Sequence, residues 1–427
     1  MTSSRAAREC FVYITLPGTT EAVAAGRFEL SADRRGDPVG RFVYGRSYLA
    51  RPDAVAIDPV ELVLADRTYE TTRLKGIFGA MRDAGPDHWG RTVIERHVGR
   101  PALGELDYLL ESPGDRAGAL GFGLGQQPPA PLRQFNRTIN LADLQTAADA
   151  LIKEGQAEPS PLNVQVEELL LRGSSMGGAR PKTVVEDEDG LWLAKFNRPD
   201  DPWNMARVEH AMLLLARTCG LVVAESKLTI AGGRDILLVK RFDRQKMPDG
   251  YHRARMVSAL TLLRADEAVG ARERWSYVLL AEELRRVSTE ARRDAAELFR
   301  RMCFNALISN IDDHPRNHAV IAPERDWKLA PAYDLVPSTP VGIEHRDLAL
   351  ECGDQGRYAN AANLLSQCRR FLLEPEAARQ LIETMKEQVR ASWYGTARGA
   401  GVTERDCGLI AGAFVYPGFD LLGGETA

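Results

Sequence analysis

A chain of 427 residues, 44% of them hydrophobic and 27% charged, has the composition of a globular protein with room for two or three packed units. Its formal net charge of −4 excludes the overall basic field of a protein that binds nucleic acid unaided. Six scattered cysteines without a CxxC pair exclude a zinc ribbon and a disulfide framework, and no uninterrupted apolar run approaches the ~18 residues of a membrane span.

The polar opening MTSSRAAREC has no signal-type apolar core behind it, so a cytoplasmic location without membrane attachment is expected. From Cys10 to about Thr72, the segments FVYITL, GRFEL, GRFVYG and VELVLA are strand-like and separated by Gly, Pro and Asp, which predicts a small β-rich unit. A helix is expected around DHWGRTVIERHVG, with Trp89, Val93 and Ile94 at helical spacing. The Gly- and Pro-rich stretch from Gly125 to Arg133 marks a linker, and helical stretches follow at Leu141 to Glu154 and Val164 to Leu171.

The segment RGSSMGGARPKTVVEDEDGLWLAKF then reads as a Gly-rich loop, a strand, a tight Asp-Gly turn and a second strand. A helix from Trp203 to Gly220 presents Met205, Val208, Met212 and Leu215 on one face, and SKLTI and ILLVKRF are strand-like. From Trp275 onward helical segments dominate, with WKLA, Trp327 to Ala330, strand-like among them. The boundaries drawn are a β-rich unit over 1–125, a linker with a helix over 126–160, a small α+β lobe over 161–250 and a helical lobe over 251–427.

GSSMGGARPK is not a Walker A sequence, because it leads into a strand and not into a helix. Gly177 and Gly178 let the backbone approach a ligand and turn its amides toward phosphate oxygens, with Ala179 beside them and Arg180 and Lys182 adding positive charge. Only nine of the 55 basic residues are lysines, so a lysine in a motif is informative. Lys195 stands centrally on the strand after the loop, the arrangement by which protein kinases hold phosphates, and Glu209 on the next helix is the candidate to orient it.

The densest chemistry is SNIDDHPRNHAV, Ser309 to Val320. Three readings compete: a solvated turn, a metal-dependent hydrolase site, and the base-and-metal loop of a phosphoryl-transfer enzyme. His314 and His318 are four apart, like zinc-binding helical pairs, but Pro315 intervenes and no HExxH glutamate is present. Asp312 and Asn317 have the five-residue spacing of a kinase base and metal ligand, and Asp334 in WKLAPAYDLVPS supplies a second carboxylate, flanked by Tyr333 and Leu335. A carboxylate can accept the hydroxyl proton, and carboxylate and amide oxygens suit Mg²⁺.

Four ordered motifs, GGARPK with a serine upstream, LVKRFDR, NIDDHPRNHA and PAYDLVPS, together resemble the HipA family of serine/threonine kinases, the toxins of type II toxin–antitoxin pairs. FVYGRSYLARPDAV, GPDHWGRTVIERH and ESPGDRAGALGF are similar to that family's N-terminal region, so the likeness is nearly full length. It implies an α+β, two-lobed protein-kinase-like fold with an extra β-rich N-terminal subdomain and a mostly helical C-terminal lobe. It further implies ATP and Mg²⁺, with Asp312 as base, Asn317 and Asp334 on the metal, Lys195 on the phosphates, Lys240, Arg241 and Phe242 as the hinge by adenine, and His314 beside the nucleotide.

Tyr333 joins the expected ATP-binding residues, and Ser175 falls where family members autophosphorylate. The family's loops often read GAQEK; Arg180 and Pro181 here alter the loop's charge and stiffness. The implied partners are a helix-turn-helix antitoxin, DNA only through that antitoxin, and a protein substrate such as an aminoacyl-tRNA synthetase. The rival from another class is a catalytically idle kinase fold serving as a co-repressor; retention of Asp312, Asn317, Asp334 and Lys195 argues against it.

Overall fold

The structure, a computed structural model, describes residues 8–131, 135–153, 180–267, 269–338 and 342–420. Three of the four alternating N-terminal segments pair into one antiparallel sheet of β1 (Arg8–Thr15), β2 (Ala22–Ala32), β3 (Pro38–Tyr44), β4 (Thr68–Thr71) and β5 (Leu120–Gly123), in the order β4-β3-β2-β1-β5. The fourth, VELVLA, is not a strand, because side chains take its backbone groups, Leu62 N donating to Asp58 Oδ1 and Leu62 O accepting from the Tyr44 hydroxyl, and β4 forms just after it. The register aligns Cys10 with Phe28, Phe28 with Phe42 and Phe42 with Tyr69, so one buried row of side chains crosses four strands.

The second sheet contains β6 (Asn136–Arg137), β7 (Lys182–Asp187), β8 (Gly190–Phe196), β9 (Ser226–Ala231) and β10 (Arg234–Lys240), in the order β6-β7-β8-β10-β9. Gly232 and Gly233 both adopt positive φ, 58° and 76°, as a two-residue hairpin turn between β9 and β10 requires. Strand periodicity sorts β8 and β10 into two faces. Trp192, Ala194, Phe196, Ile236 and Leu238 pack with helix Leu141–Lys153 and with Trp89 and Val93 of helix His88–Val98. Leu193, Lys195 and Val239 fall on the opposite face, toward a cleft. The expected 126–160 connection therefore contains β6 and a helix that are built into the small-lobe sheet.

Helix Met205–Thr218 is capped by Asn204, whose side chain accepts from the Arg207 amide, and it buries Val208, Ala211, Met212 and Leu215. The large lobe is built on helices Tyr277–Val287, Ala291–Leu307 and Pro375–Gly399. It also holds strands. After the hairpin of β11 (Arg244–Met247) and β12 (Gly250–Arg253), a three-stranded sheet joins β13 (Arg255–Ser258), β14 (Ala319–Ala322) and β15 (Lys328–Leu329). Strand β15 falls in the expected strand-like WKLA, whereas β13 and β14 were not expected. These strands are short, and β14 is buried at every position, so it carries no alternation to read. Among the described residues no helix is long and apolar enough to cross a membrane, and all six cysteines are buried thiols.

Candidate active site

A cavity of about 380 Å³ opens where the N-terminal unit, the small-lobe sheet and the large lobe meet. One end is apolar. Leu193, Val239, Met256 and Leu260 line it, together with Phe242 and Tyr333, whose ring centroids are 5.6 Å apart. The other end is ionic. Lys195 Nζ lies 2.6 Å from Glu209 Oε1 and 2.8 Å from Asp334 Oδ1.

Each of these groups is aimed by its element. Asp334 has φ 60°, a left-handed conformation that Asp tolerates better than most residues. The segment before it is pinned by Ala224 N to Ala332 O (2.9 Å) and Ala332 N to Val222 O (2.8 Å), and Tyr333 donates its hydroxyl to Arg316 O (2.8 Å). Glu209 is buried on helix Met205–Thr218 behind Lys195, and the Asp334 side chain keeps 38% exposure toward the cavity. Burial pushes the Asp334 carboxyl upward, but Lys195 outweighs it and holds the group at about 2. Burial likewise opposes the Lys195 ammonium, yet Asp334 and Glu209 raise it above its ordinary value. Burial raises Glu209, with Lys195 opposing.

The SNIDDHPRNHAV loop follows helix Ala291–Leu307 and folds back on itself. His314 N donates to Asp312 O (2.8 Å), Asn317 N to His314 O (2.8 Å), and Asn317 Nδ2 to Asp312 O (3.2 Å). The adjacent carboxylates meet opposite fates. Asp313 is buried, accepting from the Tyr277 hydroxyl and lying 2.7 Å from His318 Nε2, and Asn305 and Asn310 extend this polar support. Asp312 is exposed and has no side-chain hydrogen bond among the described residues. Its carboxyl is raised by partial burial, opposed by His314 and reinforced by Asp334 and Asp313. His318 is thus committed to Asp313 at 3% exposure, so the spacing that suggested a zinc pair does not bring His314 and His318 to one ion.

Hard oxygen donors line the cavity, the Asp334 carboxylate and the Asn317 amide oxygen, whose Nδ2 is already used on the loop, and they are of the type magnesium prefers. The residues present therefore fit that ion. His314, Asn317, Tyr333, Asp334, Lys195 and the expected hinge residues Lys240, Arg241 and Phe242 all line the cavity.

Four cations expected at the nucleotide have their charged ends engaged by carboxylates. Lys182 is the cross-strand partner of Lys195 but is buried in an ion pair with Asp87 (2.7 Å), and it does not line the cavity. Arg180 is forked onto Asp201, at 2.9 and 2.5 Å. Lys240 reaches Glu225 (3.0 Å) and Arg241 is buried among carboxylates, so their part in the cavity wall is mainly backbone. In each case a nearby carboxylate, distant in sequence or facing away from the cleft, captures the cation. Gly177, Gly178, Ala179 and Ser175, like the expected helix at 164–171, lie outside the described residues.

The N-terminal unit's share of the cavity was not read from the sequence. Gly85, Asp87, His88 and Ala117 line it, and Asp83 accepts from Ser258 N (2.7 Å), Ser258 Oγ (2.7 Å), Thr261 Oγ1 (2.6 Å) and Arg316 (3.0 Å) of the large lobe. The one local signal was Asp87 directly before a helical run, an N-cap pattern; its Oδ1 accepts from Gly90 N at 2.6 Å.

Residues 174–393 match a family model described as the HipA-like C-terminal domain. "Putative kinase Y4mE" of Sinorhizobium fredii is 27% identical over 339 residues, covering 72% of this chain and 74% of that protein. A "Putative kinase" of Haemophilus influenzae is 28% identical over 186 residues, 40% of this chain and 54% of the relative, so the chain spans about half of that relative's length. Among solved structures, a chain from the Shewanella oneidensis MR-1 toxin–antitoxin complex of HipA, HipB and operator DNA superposes with a TM-score of 0.65 at 17% identity, covering 93% of this chain and 95% of that one. That superposition establishes a shared fold, the two-lobed kinase-like architecture with its added N-terminal subdomain. With more than half of its length inside the family model, the chain belongs to the HipA-like family.

Proposed function

We propose that the protein is an ATP-dependent serine/threonine protein kinase. The observation that carries this reading is Lys195 set between Glu209 and Asp334 at the ionic end of a cavity whose other end is apolar and hinge-lined. The apolar end accepts a flat heterocycle between Leu193, Val239 and Leu260. Lys195, oriented by Glu209, attracts the α/β-phosphates. Asn317 and Asp334 would hold Mg²⁺, which neutralises charge on the transferring phosphoryl group. Asp312 accepts the proton of the acceptor hydroxyl as its oxygen bonds to the γ-phosphorus and the bond to the β–γ bridging oxygen breaks, releasing ADP. The raised Asp312 carboxyl fits a base, because it favours proton capture.

Family membership and the names of its relatives support the kinase class. The fold likeness to a chain crystallised with HipB and operator DNA supports a toxin restrained by a helix-turn-helix antitoxin, with DNA reached through that partner, as the net charge of −4 also favours. A translation component such as an aminoacyl-tRNA synthetase is the proposed target, and Ser175 the proposed autophosphorylation site.

Purified protein with millimolar Mg·ATP should melt at higher temperature than without it, less so with ATP alone, and ligand at ~100 Kd adds ~2.7 kcal/mol. The same sample given γ-labelled ATP should acquire phosphoserine or phosphothreonine. A folded sample that shows neither effect refutes the reading; a thermal shift without transfer to any protein, itself included, would favour the idle co-repressor instead.

A further inference from the structure

The hinge is held by more than its backbone. Arg241 N donates to Leu191 O (2.9 Å) and Ala254 N to Asp243 O (3.0 Å), tying it to β8 and to the start of the three-stranded sheet. Behind it, Arg241 donates to Asp243 Oδ1 (3.0 Å) and Oδ2 (2.8 Å), to Asp115 Oδ2 (2.6 Å) and to Arg116 O (2.9 Å). Arg244 donates to Asp243 Oδ2 (2.8 Å), Asp115 Oδ1 (3.1 Å) and Gly118 O (2.9 Å). Gly118 returns its own amide to Asp243 Oδ2 at 2.8 Å, with φ +74°, and a Cβ there would lie 3.2 Å from Met256 N. All four charged side chains are at most 2% exposed.

We propose that Asp115, on the 114–118 turn of the N-terminal unit, is a positioning residue for the nucleotide: through Arg241 and Arg244 it sets the hinge that forms the adenine end of the cleft. The lattice is balanced, two carboxylates against two guanidinium groups, and every member is multiply bonded. Removing one partner strands the others in a dry site, so the hinge cannot shift cheaply. A purely apolar joint could be as stable, but it would not fix direction as forked Arg–carboxylate bonds do. The joint is also part of the cavity: Arg241, Phe242, Asp243, Ala117 and Met256 all line it. Ordinary hinge segments absorb domain motion; this one is cross-linked to a third unit, so adenine affinity depends on residues over a hundred positions away in sequence.

The identity of the ligand rests on the kinase reading, so the test has one arm that needs no nucleotide. In the full chain, Asp115→Asn should speed amide hydrogen exchange at 240–244 by at least about tenfold without ligand. It should raise the KM for ATP about tenfold while kcat stays within about threefold, the signature of a displaced binding wall and not of a lost base. Unchanged hinge exchange in folded Asp115→Asn overturns the proposal, as does a fall in kcat at unchanged KM. Should the variant not fold, wild-type exchange across a denaturant series decides: 114–118 and 240–244 must open with one free energy, and separate openings overturn the clamp. Wild-type protein that fails to bind ATP but shows joint opening would refute the kinase reading and leave the clamp standing.

Discussion

The two ends of the cleft carry the same kind of chemistry and use it differently. At the hinge, Arg241, Arg244, Asp115 and Asp243 are sealed from water and satisfy one another. At the ionic end, Lys195 shares two carboxylates, one of which keeps more than a third of its side chain exposed to the cavity. Closed charge lattices build architecture; a lattice with one open member can exchange its partner for a ligand. Asp312 and Asp313 repeat the contrast within two residues, one held by Tyr277 and His318, the other free of side-chain bonds among the described residues.

Four measurements break or sharpen that contrast. Asp312→Asn should cost about 10³-fold in phosphoryl transfer, within the range for a general base, while the dissociation constant for Mg·ATP changes little. If Asp313→Asn lost only transfer and Asp312→Asn remained active, the open and closed roles would be reversed.

Arg241→Met should lower unfolding free energy in urea by about 3–5 kcal/mol, because it strands Asp115 and Asp243 in the interior. A loss below ~1 kcal/mol would mean the lattice is not the closed structure described.

Asp58 provides the counter-case of a buried carboxylate with no cation paired to it among the described residues. Its Oδ1 accepts from the Val60, Glu61 and Leu62 amides, its Oδ2 is buried without a hydrogen-bond partner among the described residues, and desolvation raises the group to about 6. The sign follows from linkage. Below the ordinary carboxylate value near 4 both states are protonated; as pH rises toward 6 the unfolded state ionises first, so wild-type stability falls. Relative to Asp58→Asn, the wild type should therefore lose about 2–3 kcal/mol between pH 4 and pH 7, read from parallel denaturation curves. Asp243, held below the usual carboxylate range by Arg241 and Arg244 against burial, has the opposite sign: its contribution is present at neutral pH and lost on acidification.

The smallest change belongs to the open end. Lys195→Met should destabilise the apo protein by only about 1–2 kcal/mol, since Asp334 can be hydrated and Glu209 can take up a proton, while Mg·ATP protection against melting is lost. A loss as large as that of Arg241→Met would erase the distinction between the ends.

Period-2 alternation and turn residues made the β-rich unit and the β7–β8 hairpin legible, because a half-buried strand must repeat every two residues. Helix Met205–Thr218 was readable from its apolar stripe and terminal Gly220. Asp312, Asn317 and Asp334 were readable as candidates because spacing within a loop is a local property. Strands β13 and β14 were not, since runs of four residues do not announce their partners, although WKLA, which holds β15, was readable as a strand.

What the sequence by itself determined is which groups can ionise and which faces must be covered. Only the tertiary structure decided which charges remain available. Lys182 and Lys195 are equally basic in sequence and are cross-strand partners, yet Asp87 from the N-terminal unit seals one while the other faces the cavity. The same holds for Arg180 beside Asp201 and Arg241 beside Asp115. The physical reason is that charge interactions act through space and are strong only where water is excluded, and both conditions depend on segments that sequence spacing does not bring together.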